Sequence, residues 1–341
     1  MNLIKQLPRL KLNQPLAQHT TFKIGGPAEY FYKAKTTADL IKAIKLAREN
    51  QIPFIILGNG SNVLISDRGV KGLVIKNQTN QIKILTTQAP KMKTPQISSR
   101  FKSLDKSLQP VIQSAYDESQ YPAVLVELDS GVFLPKAIFS LINQGLTGLE
   151  WFTGIPATIG GATFINLHGG HKYFSDYLVK AKILTPDNQI KTVSAKYFKF
   201  DYDQSSLKAK PDIVLSVTLR LYKGPKTKAL KIAKAWAMKK SQQPQRSAGC
   251  IFQNLSSQQQ TQLDLPTPSI GYLMDKVLGL KGKTSGQAQI SEKHAGFITN
   301  LGQAKAEDVV KLIKLMKQTA KQKLNLDLKL EIVSLGFKKG I

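Results

Sequence analysis

The chain is poor in cysteine. Its 341 residues contain one, Cys250, which excludes an internal disulfide and a cysteine-based metal cluster. This thiol is therefore either an inert buried group or a residue present for its chemistry. Histidine is also scarce, because the chain has four, and no pair of them has metal-ligand spacing. We expect no metal site.

Long hydrophobic runs are missing as well. No run approaches the about 18 apolar residues needed to cross a bilayer, and residues 1–8 lack a long apolar segment. We expect a cytoplasmic protein with no membrane partner.

A hydrophobic content of 42% is normal for a globular chain. A length of 341 residues predicts two or three domains.

Acidic residues are few compared with basic ones. Lys and Arg number 49 against 22 Asp and Glu, a formal charge of +27. An excess of this size raises the question of nucleic acid. The lysines are spread along the whole chain, however, and no nucleic-acid motif interleaves them with aromatic residues. We expect a solvated, lysine-rich surface with no nucleic-acid partner, whose charge could attract anionic substrates.

Glycine, in contrast, is concentrated in two segments. Residues 58–62 lie between two short apolar runs that predict strands, and their glycines would let the backbone bring N–H groups close to a phosphate or diphosphate. The same pattern is also typical of a simple turn between strands. A second small-residue segment, residues 154–161, favours the ligand interpretation because two such loops can clamp one extended ligand. The predicted ligand-binding residues are Gly58, Asn59, Gly60, Ser61, Asn62, Gly154, Ile155, Pro156, Thr158, Ile159, Gly160 and Gly161.

Hydrophobic periodicity predicts alternating helices and strands, which indicates a mixed α/β or α+β fold. The main predicted helices cover residues 38–49, 132–144, 223–240, 269–280 and 305–324. The main predicted strands cover residues 28–34, 123–128, 213–222 and 328–335. Residues 78–122 lack sustained periodicity and are predicted to be an insertion with one strand at 82–85.

Several motifs occur in the order found in one enzyme family. They are Thr21–Ala28, Gly58–Leu64, Gly154–Gly161, Ser247–Phe252, Ser291–Ala295 and Leu330-Glu331. In these motifs the chain resembles the UDP-N-acetylenolpyruvylglucosamine reductases, the MurB-type flavoenzymes of peptidoglycan precursor synthesis. The resemblance covers residues 15–337 apart from the insertion.

This resemblance implies an α+β fold, with an FAD-binding domain of the vanillyl-alcohol-oxidase (PCMH) type in two subdomains and a smaller α/β substrate-binding domain. The implied division is 1–76 and 77–222 for FAD, 223–326 for substrate, and 327–341 as a C-terminal strand returning to the active site. It also implies non-covalent FAD between the two glycine-rich segments, NADPH as reductant and a UDP-sugar substrate. We expect a monomer.

The implied reaction needs an acid. Hydride adds to one carbon of the enolpyruvyl double bond, and the other carbon must be protonated. Cys250 stands where the family carries Ser or Cys as proton donor, and a free thiol, with a pKa of about 8.5, is mostly protonated at neutral pH. Glu331 matches the family's second acid. Asn254 and Lys293 match positions that contact the substrate.

The chain also departs from the family pattern. The family's Tyr-Arg-x-Ser segment, whose arginine orients and polarises the substrate, matches residues 202–205, so the anion Asp203 replaces a cation. Residues 167–170, Leu-His-Gly-Gly, replace a usual Asn-Ala-Gly-Ala. Lys199, Lys208 or Arg220 could supply the missing charge. Two alternatives remain open: a weakened or inactive family member that binds FAD or UDP-sugar, and another FAD-dependent oxidoreductase of the superfamily.

Overall fold

The computed structural model describes residues 3–86, 116–338 and 341, so that most of the predicted insertion lies outside the described residues. The described strands are β1 (Lys11–Pro15), β2 (Pro27–Ala34), β3 (Phe54–Leu57), β4 (Val63–Ile65), β5 (Val70–Asn77), β6 (Ile82–Thr86), β7 (Ala123–Asp129), β8 (His168–Gly169), β9 (Lys172–Tyr173), β10 (Leu178–Leu184), β11 (Ile190–Ser194), β12 (Ile213–Tyr222), β13 (Thr284–Ser285), β14 (Ala288–Ile290), β15 (Ile298–Asn300) and β16 (Val333–Leu335). The described α-helices are α1 (Leu3–Gln6), α2 (Thr37–Glu49), α3 (Leu134–Asn143), α4 (Ile159–Ile165), α5 (Lys226–Ser241), α6 (Ser257–Gln262), α7 (Ile270–Tyr272) and α8 (Ala306–Leu324).

The first of two compact units comprises Met1–Lys33, Leu46–Lys76 and Gln243–Ile341. It contains a four-stranded sheet in the order β1-β2-β5-β3 and a three-stranded sheet in the order β13-β14-β15. The last strand, β16, pairs in parallel with β4 and so returns the C-terminal segment to the N-terminal part of the unit.

The sequence of helix α8 explains where this helix begins, which face it buries and where it ends. Its apolar residues recur every three or four positions, so Val309, Leu312 and Met316 are buried on one face. The carboxylate of Asp67 accepts hydrogen bonds of 2.8 and 3.0 Å from the first two N–H groups of the helix. Asn325 ends the helix in a left-handed conformation.

The second unit comprises Ala34–Lys45 and Asn77–Gln242. Its antiparallel sheet has the order β11-β10-β12-β7-β6. Strand β12 is buried along nearly its whole length and lies at the centre of this sheet. Helices α3 and α4 contribute buried side chains to the same core.

Most predicted elements are confirmed, with ends that shift by up to three residues, including α2, α3, α5, α8 and the strand at 82–85. Two predictions are wrong in extent. The predicted helix 269–280 is α7 followed by a π-helical turn, Leu273–Val277. The predicted strand 328–335 is reduced to β16, because Leu330 forms only an isolated bridge with Phe252. Over the described ranges, no helix combines the length and hydropathy that a membrane crossing requires.

Candidate active site

The first glycine-rich loop (Gly58–Asn62) joins β3 to β4 in the first unit. Gly60 adopts a φ of +71° at its centre. A Cβ at this position would lie 2.5 Å from the backbone oxygen of His19 and 2.9 Å from the Cα of Thr20. The loop can therefore take this shape only with glycine at position 60.

The backbone N–H groups of the first loop are available to a ligand. Within the described residues, the N–H groups of Gly58, Gly60, Ser61 and Asn62 donate no hydrogen bond to the protein. A run of unused N–H groups in a partly buried loop is a feature of phosphate and diphosphate sites. The observed loop therefore fits the diphosphate of a dinucleotide.

Lys76, which was not predicted from the sequence, supports the first loop through hydrogen bonds to its backbone. It is 9% exposed. Its Nζ donates hydrogen bonds to the backbone oxygens of Gly58 at 2.5 Å and His19 at 3.4 Å. Burial, and then the charges of Lys33 and Lys23, lower the pKa of Lys76 to about 8. A buried cation thus fixes the start of the first loop and adds positive charge beside it.

Cys250 begins a short extended segment of the same unit. It forms a β-bridge with Phe297, and the Ile251 N–H donates to the Gly296 oxygen at 2.9 Å. On the other side, the Glu331 N–H donates to the Ile251 oxygen at 2.9 Å. The thiol is half-buried. The structure therefore places the backbones of the two predicted acids on adjacent segments.

Glu331 is also joined to the first loop. The Asn62 Nδ2 donates to the Glu331 backbone oxygen at 3.3 Å. The Val333 N–H donates to the Asn62 oxygen at 2.9 Å, and β16 then continues beside β4. The first loop, the Cys250 segment and Glu331 therefore form one hydrogen-bonded group.

The two predicted substrate-contacting residues lie in loop segments of the first unit. The Asn254 Oδ1 accepts a hydrogen bond of 3.0 Å from the Ile270 N–H at the start of α7. Lys293 is exposed, and its N–H donates to the Ser291 Oγ at 3.2 Å. This turn ends at Phe297, the residue that pairs with Cys250. The turn that carries Lys293 therefore adjoins the Cys250 segment.

The second glycine-rich loop (Gly154–Gly161) lies in the second unit and leads into α4. The Thr158 Oγ1 caps this helix by accepting from the Gly161 N–H at 3.3 Å. The N–H groups of Ile159 and Gly160 donate to backbone oxygens of the segment before α3, at 3.0 and 2.7 Å. Most N–H groups of the second loop are thus used inside its own unit.

The three cations considered as replacements for the family arginine occupy different places in the second unit. Lys199 is exposed. The Lys208 Nζ donates to the backbone oxygen of Asp203 at 2.6 Å, while Arg220 is 4% exposed on β12. The Asp203 carboxylate instead lies 3.2 Å from the Nδ1 of His168, which the sequence analysis did not single out.

The α+β fold and the first loop fit an FAD-binding protein. A family model described as FAD binding domain matches residues 28–93, which assigns the chain to this class. A second family model, described as UDP-N-acetylenolpyruvoylglucosamine reductase, C-terminal domain, matches residues 241–335. The chain is 31% identical to the UDP-N-acetylenolpyruvoylglucosamine reductase of Lachnoclostridium phytofermentans, over 97% of this chain and 94% of that protein. It is 33% identical to UDP-N-acetylenolpyruvoylglucosamine reductase 1 of Bacillus cereus, over 96% of this chain and 95% of that protein. The chain belongs to the UDP-N-acetylenolpyruvoylglucosamine reductase family.

A solved structure supports the same conclusion. The crystal structure of UDP-N-acetylenolpyruvylglucosamine reductase (MurB) from Thermus caldophilus matches with a TM-score of 0.67 and 29% identity, over 96% of this chain and 98% of that chain. The predicted family, the α+β fold with an FAD-binding domain and a second domain, and the FAD cofactor are thereby confirmed.

Proposed function

We propose that this protein uses NADPH to reduce the enolpyruvyl group of UDP-N-acetylglucosamine-enolpyruvate to the lactyl ether of UDP-N-acetylmuramate, a step of peptidoglycan precursor synthesis. Family membership over nearly the full chain supports this assignment. The observation that carries it is the grouping, in one unit, of a diphosphate-compatible loop with Cys250 and Glu331.

FAD is held without a covalent bond. The first loop binds the diphosphate through its unused N–H groups, and Lys76 supports it with positive charge. The second loop contributes the N–H groups of Gly154 and Thr158, which donate to no group of the described chain. Bound FAD would supply the hydride chemistry that links NADPH to the substrate.

Cys250 supplies the proton. Hydride addition at one alkene carbon leaves an electron pair on the other carbon, where the adjoining carboxylate delocalises it. The thiol then forms the new C–H bond as its S–H bond breaks, and the thiolate recovers a proton from solvent. A half-buried position suits this role because it combines access to the substrate with restricted access for water.

Glu331 assists this protonation and stabilises the enolic substrate. Its backbone adjoins the Cys250 segment, and its side chain is half-buried. Asn254 and Lys293 contact the substrate, with Lys293 holding a phosphate or carboxylate as a point charge. Asn254 follows Cys250 by four residues, and the turn that carries Lys293 leads to Phe297, which pairs with Cys250.

The protein acts as a monomer in the cytoplasm, where NADPH and nucleotide sugars are present, with no nucleic-acid or membrane partner. Residues 1–76 and 77–222 form the FAD-binding subdomains, 223–326 form the substrate-binding domain, and 327–341 return to the active site.

Separate measurement of the two half-reactions tests the role of Cys250. For Cys250→Ala, we expect normal flavin absorbance and normal flavin reduction by NADPH. Oxidation of the reduced flavin by the enolpyruvyl sugar should slow by about 100-fold or more, the usual contribution of a general acid. Cys250→Ser is the matched control and should retain most of the rate. Equal losses in both half-reactions would contradict the proposal.

A further inference from the structure

Residues 116–120, here called the anchor segment, lie at the end of the predicted insertion and belong to the second unit. The segment finishes in a short 3₁₀ helix, Glu118–Gln120. Two of its side chains are enclosed by the unit, since Tyr116 is half-buried and Glu118 is 4% exposed. A phenol and a carboxyl group therefore attach the anchor segment to the second unit.

The Glu118 carboxyl group lies among buried polar side chains. The Tyr177 hydroxyl is 3.0 and 3.1 Å from its two oxygens and donates to them. The Lys172 Nζ donates to the Glu118 Oε2 at 3.5 Å. Tyr177 and Lys172 are themselves buried. Because water is largely excluded here, protein groups must compensate each charge that is buried.

Glu150 is a second buried carboxyl group in the same cluster. It lies on the 3₁₀ helix Glu150–Phe152, which precedes the second loop. Its Oε2 accepts from the Gly148 N–H at 2.7 Å, and its Oε1 accepts from the Tyr116 hydroxyl. Burial raises the pKa of Glu150, and the charge of Lys172 opposes this rise. Without the anchor segment, one carboxylate and one ammonium would therefore balance each other, and docking adds a second carboxyl group to them.

The other titratable groups beside the cluster do not remove this excess of carboxyl groups. Asp117 is exposed to solvent, and Asp176 and Arg220 contribute one charge of each sign. Burial, and then the charge of Lys172, lower the pKa of His171 to about 3, so this imidazole is neutral. The phenols are neutral as well, because burial raises the pKa of each; they are Tyr116, Tyr177 and Tyr222. Three enclosed carboxyl groups therefore share two cations.

We propose that residues 116–120 are a proton-linked anchor, which docks on the second unit with a proton on Glu118 and detaches when that proton is lost. Docking removes the Glu118 carboxyl group from water and adds it to a set that is already balanced, so its neutral form docks best. All groups of the anchor lie in the second unit, and the inference is independent of the proposed function.

The direction of the pH dependence follows from the titration of Glu118. Burial raises the pKa of docked Glu118 to about 7; Lys172 opposes this rise and Glu150 adds to it. In the detached segment the pKa returns to its ordinary value of 4.5. The docked form therefore binds more protons between pH 4.5 and 7, so docking weakens as pH rises through this range.

Hydrogen exchange of the anchor segment tests the proposal in the full-length protein with FAD present. The reporters are the N–H groups of Gln120 and Tyr121, which donate to the backbone oxygens of Asp117 and Glu118 at 3.4 and 3.1 Å. After correction for the intrinsic exchange rate at each pH, their protection should fall by about 10- to 100-fold between pH 5 and 8. The amides of β12 in the same sample report global unfolding and should not follow this fall.

Three variants separate the proton of Glu118 from other effects. Glu118→Gln keeps an acceptor for Tyr177 but has no proton to lose, so protection should be high and independent of pH. Asp117→Asn, which removes an exposed carboxyl group of the same segment, is the matched control and should keep the fall. Lys172→Met leaves both buried carboxyl groups without their shared cation and should make the fall larger.

Four results would overturn the inference. They are protection that does not change with pH in the unmodified protein, a parallel fall in the amides of β12, the same fall in Glu118→Gln, and loss of the fall in Asp117→Asn. If circular dichroism shows that Glu118→Gln does not fold, the profiles of the unmodified protein and of Asp117→Asn decide the question.

Discussion

The two glycine-rich loops look alike in sequence but differ in how they use their backbones. In the first loop, four N–H groups donate to no group of the described protein. In the second loop, Ile159 and Gly160 donate to backbone oxygens of their own unit. The first loop is therefore built to bind an anion, whereas the second is built mainly to begin a helix and to pack.

The glycines differ in the same way. A Cβ at Gly60 would collide with backbone atoms, and φ is positive there. A Cβ at Gly161 would meet only the Thr158 Oγ1, at 3.4 Å, which is an ordinary contact. Glycine content alone therefore does not identify a phosphate site, because conformation and free N–H groups decide it.

Matched glycine substitutions should show the largest difference in FAD affinity between the two loops. Gly60→Ala strains the backbone and pushes the first loop away from His19, so we expect FAD affinity to fall by about 100-fold or more. Gly161→Ala places alanine in a helix, where it is favoured over glycine, and should change FAD affinity by less than about threefold. Fluorescence titration of flavin-free protein measures both.

The thermal unfolding of both flavin-free variants provides the control for this pair, because a misfolded Gly60→Ala protein would lose flavin for an unrelated reason. Equal losses of FAD affinity in two folded variants would contradict the distinction between the loops.

Lys76→Met tests the first loop in a second way, because it removes the cation that donates to the Gly58 oxygen. Loss of the hydrogen bond to Gly58 and of the nearby charge should weaken FAD binding by about 10-fold. Lys71→Met, on the same strand but exposed, is the matched control and should have little effect. Unchanged affinity in Lys76→Met would mean that the loop holds its shape without this residue.

The same lysine predicts a pH dependence. Its pKa in the folded protein without FAD is about 8, below the ordinary value of 10.5. Diphosphate favours the ammonium form, so FAD affinity should fall as pH rises through 8. The free energy of unfolding should show the opposite trend and rise between pH 8 and 10.5, because the unfolded chain binds more protons there. Titrations and denaturant melts across this range should lose both trends in Lys76→Met.

The smallest expected effect concerns the helix cap of the second loop. Thr158→Ala removes the acceptor for the Gly161 N–H, so the free energy of unfolding should fall by about 1 kcal/mol. FAD affinity should change by less than about threefold. A large loss of FAD affinity with normal stability would show that the Thr158 hydroxyl binds the cofactor directly.

Sequence alone predicted the long helices well because their periodicity is local. The buried residues Val309, Leu312 and Met316 of α8 are the ones that a 3.6-residue repeat selects. The C-terminal strand was predicted too long because its pairing depends on distant segments, β4 and Phe252. A sequence pattern contains no information about where such partners end.

Residues of the candidate site could be predicted from the sequence only where they belong to a family motif. Lys76 contacts a residue 18 positions away, and His168 contacts one 35 positions away, so neither contact has a local signature. A weak signal existed for Lys76, since a lysine directly after the apolar residues 73–75 of a strand is placed for burial. For His168, departures from the family pattern were visible at residues 167–170 and at Asp203, but their contact required the fold.

The most direct test of the whole account is an equilibrium titration of the flavin-free, unmodified protein with FAD, followed by visible absorbance. The account predicts a yellow complex with one FAD per chain, and a bound flavin that NADPH reduces. A protein that is colourless after incubation with excess FAD and removal of the unbound flavin would contradict the role of the first loop and, with it, the assigned reaction.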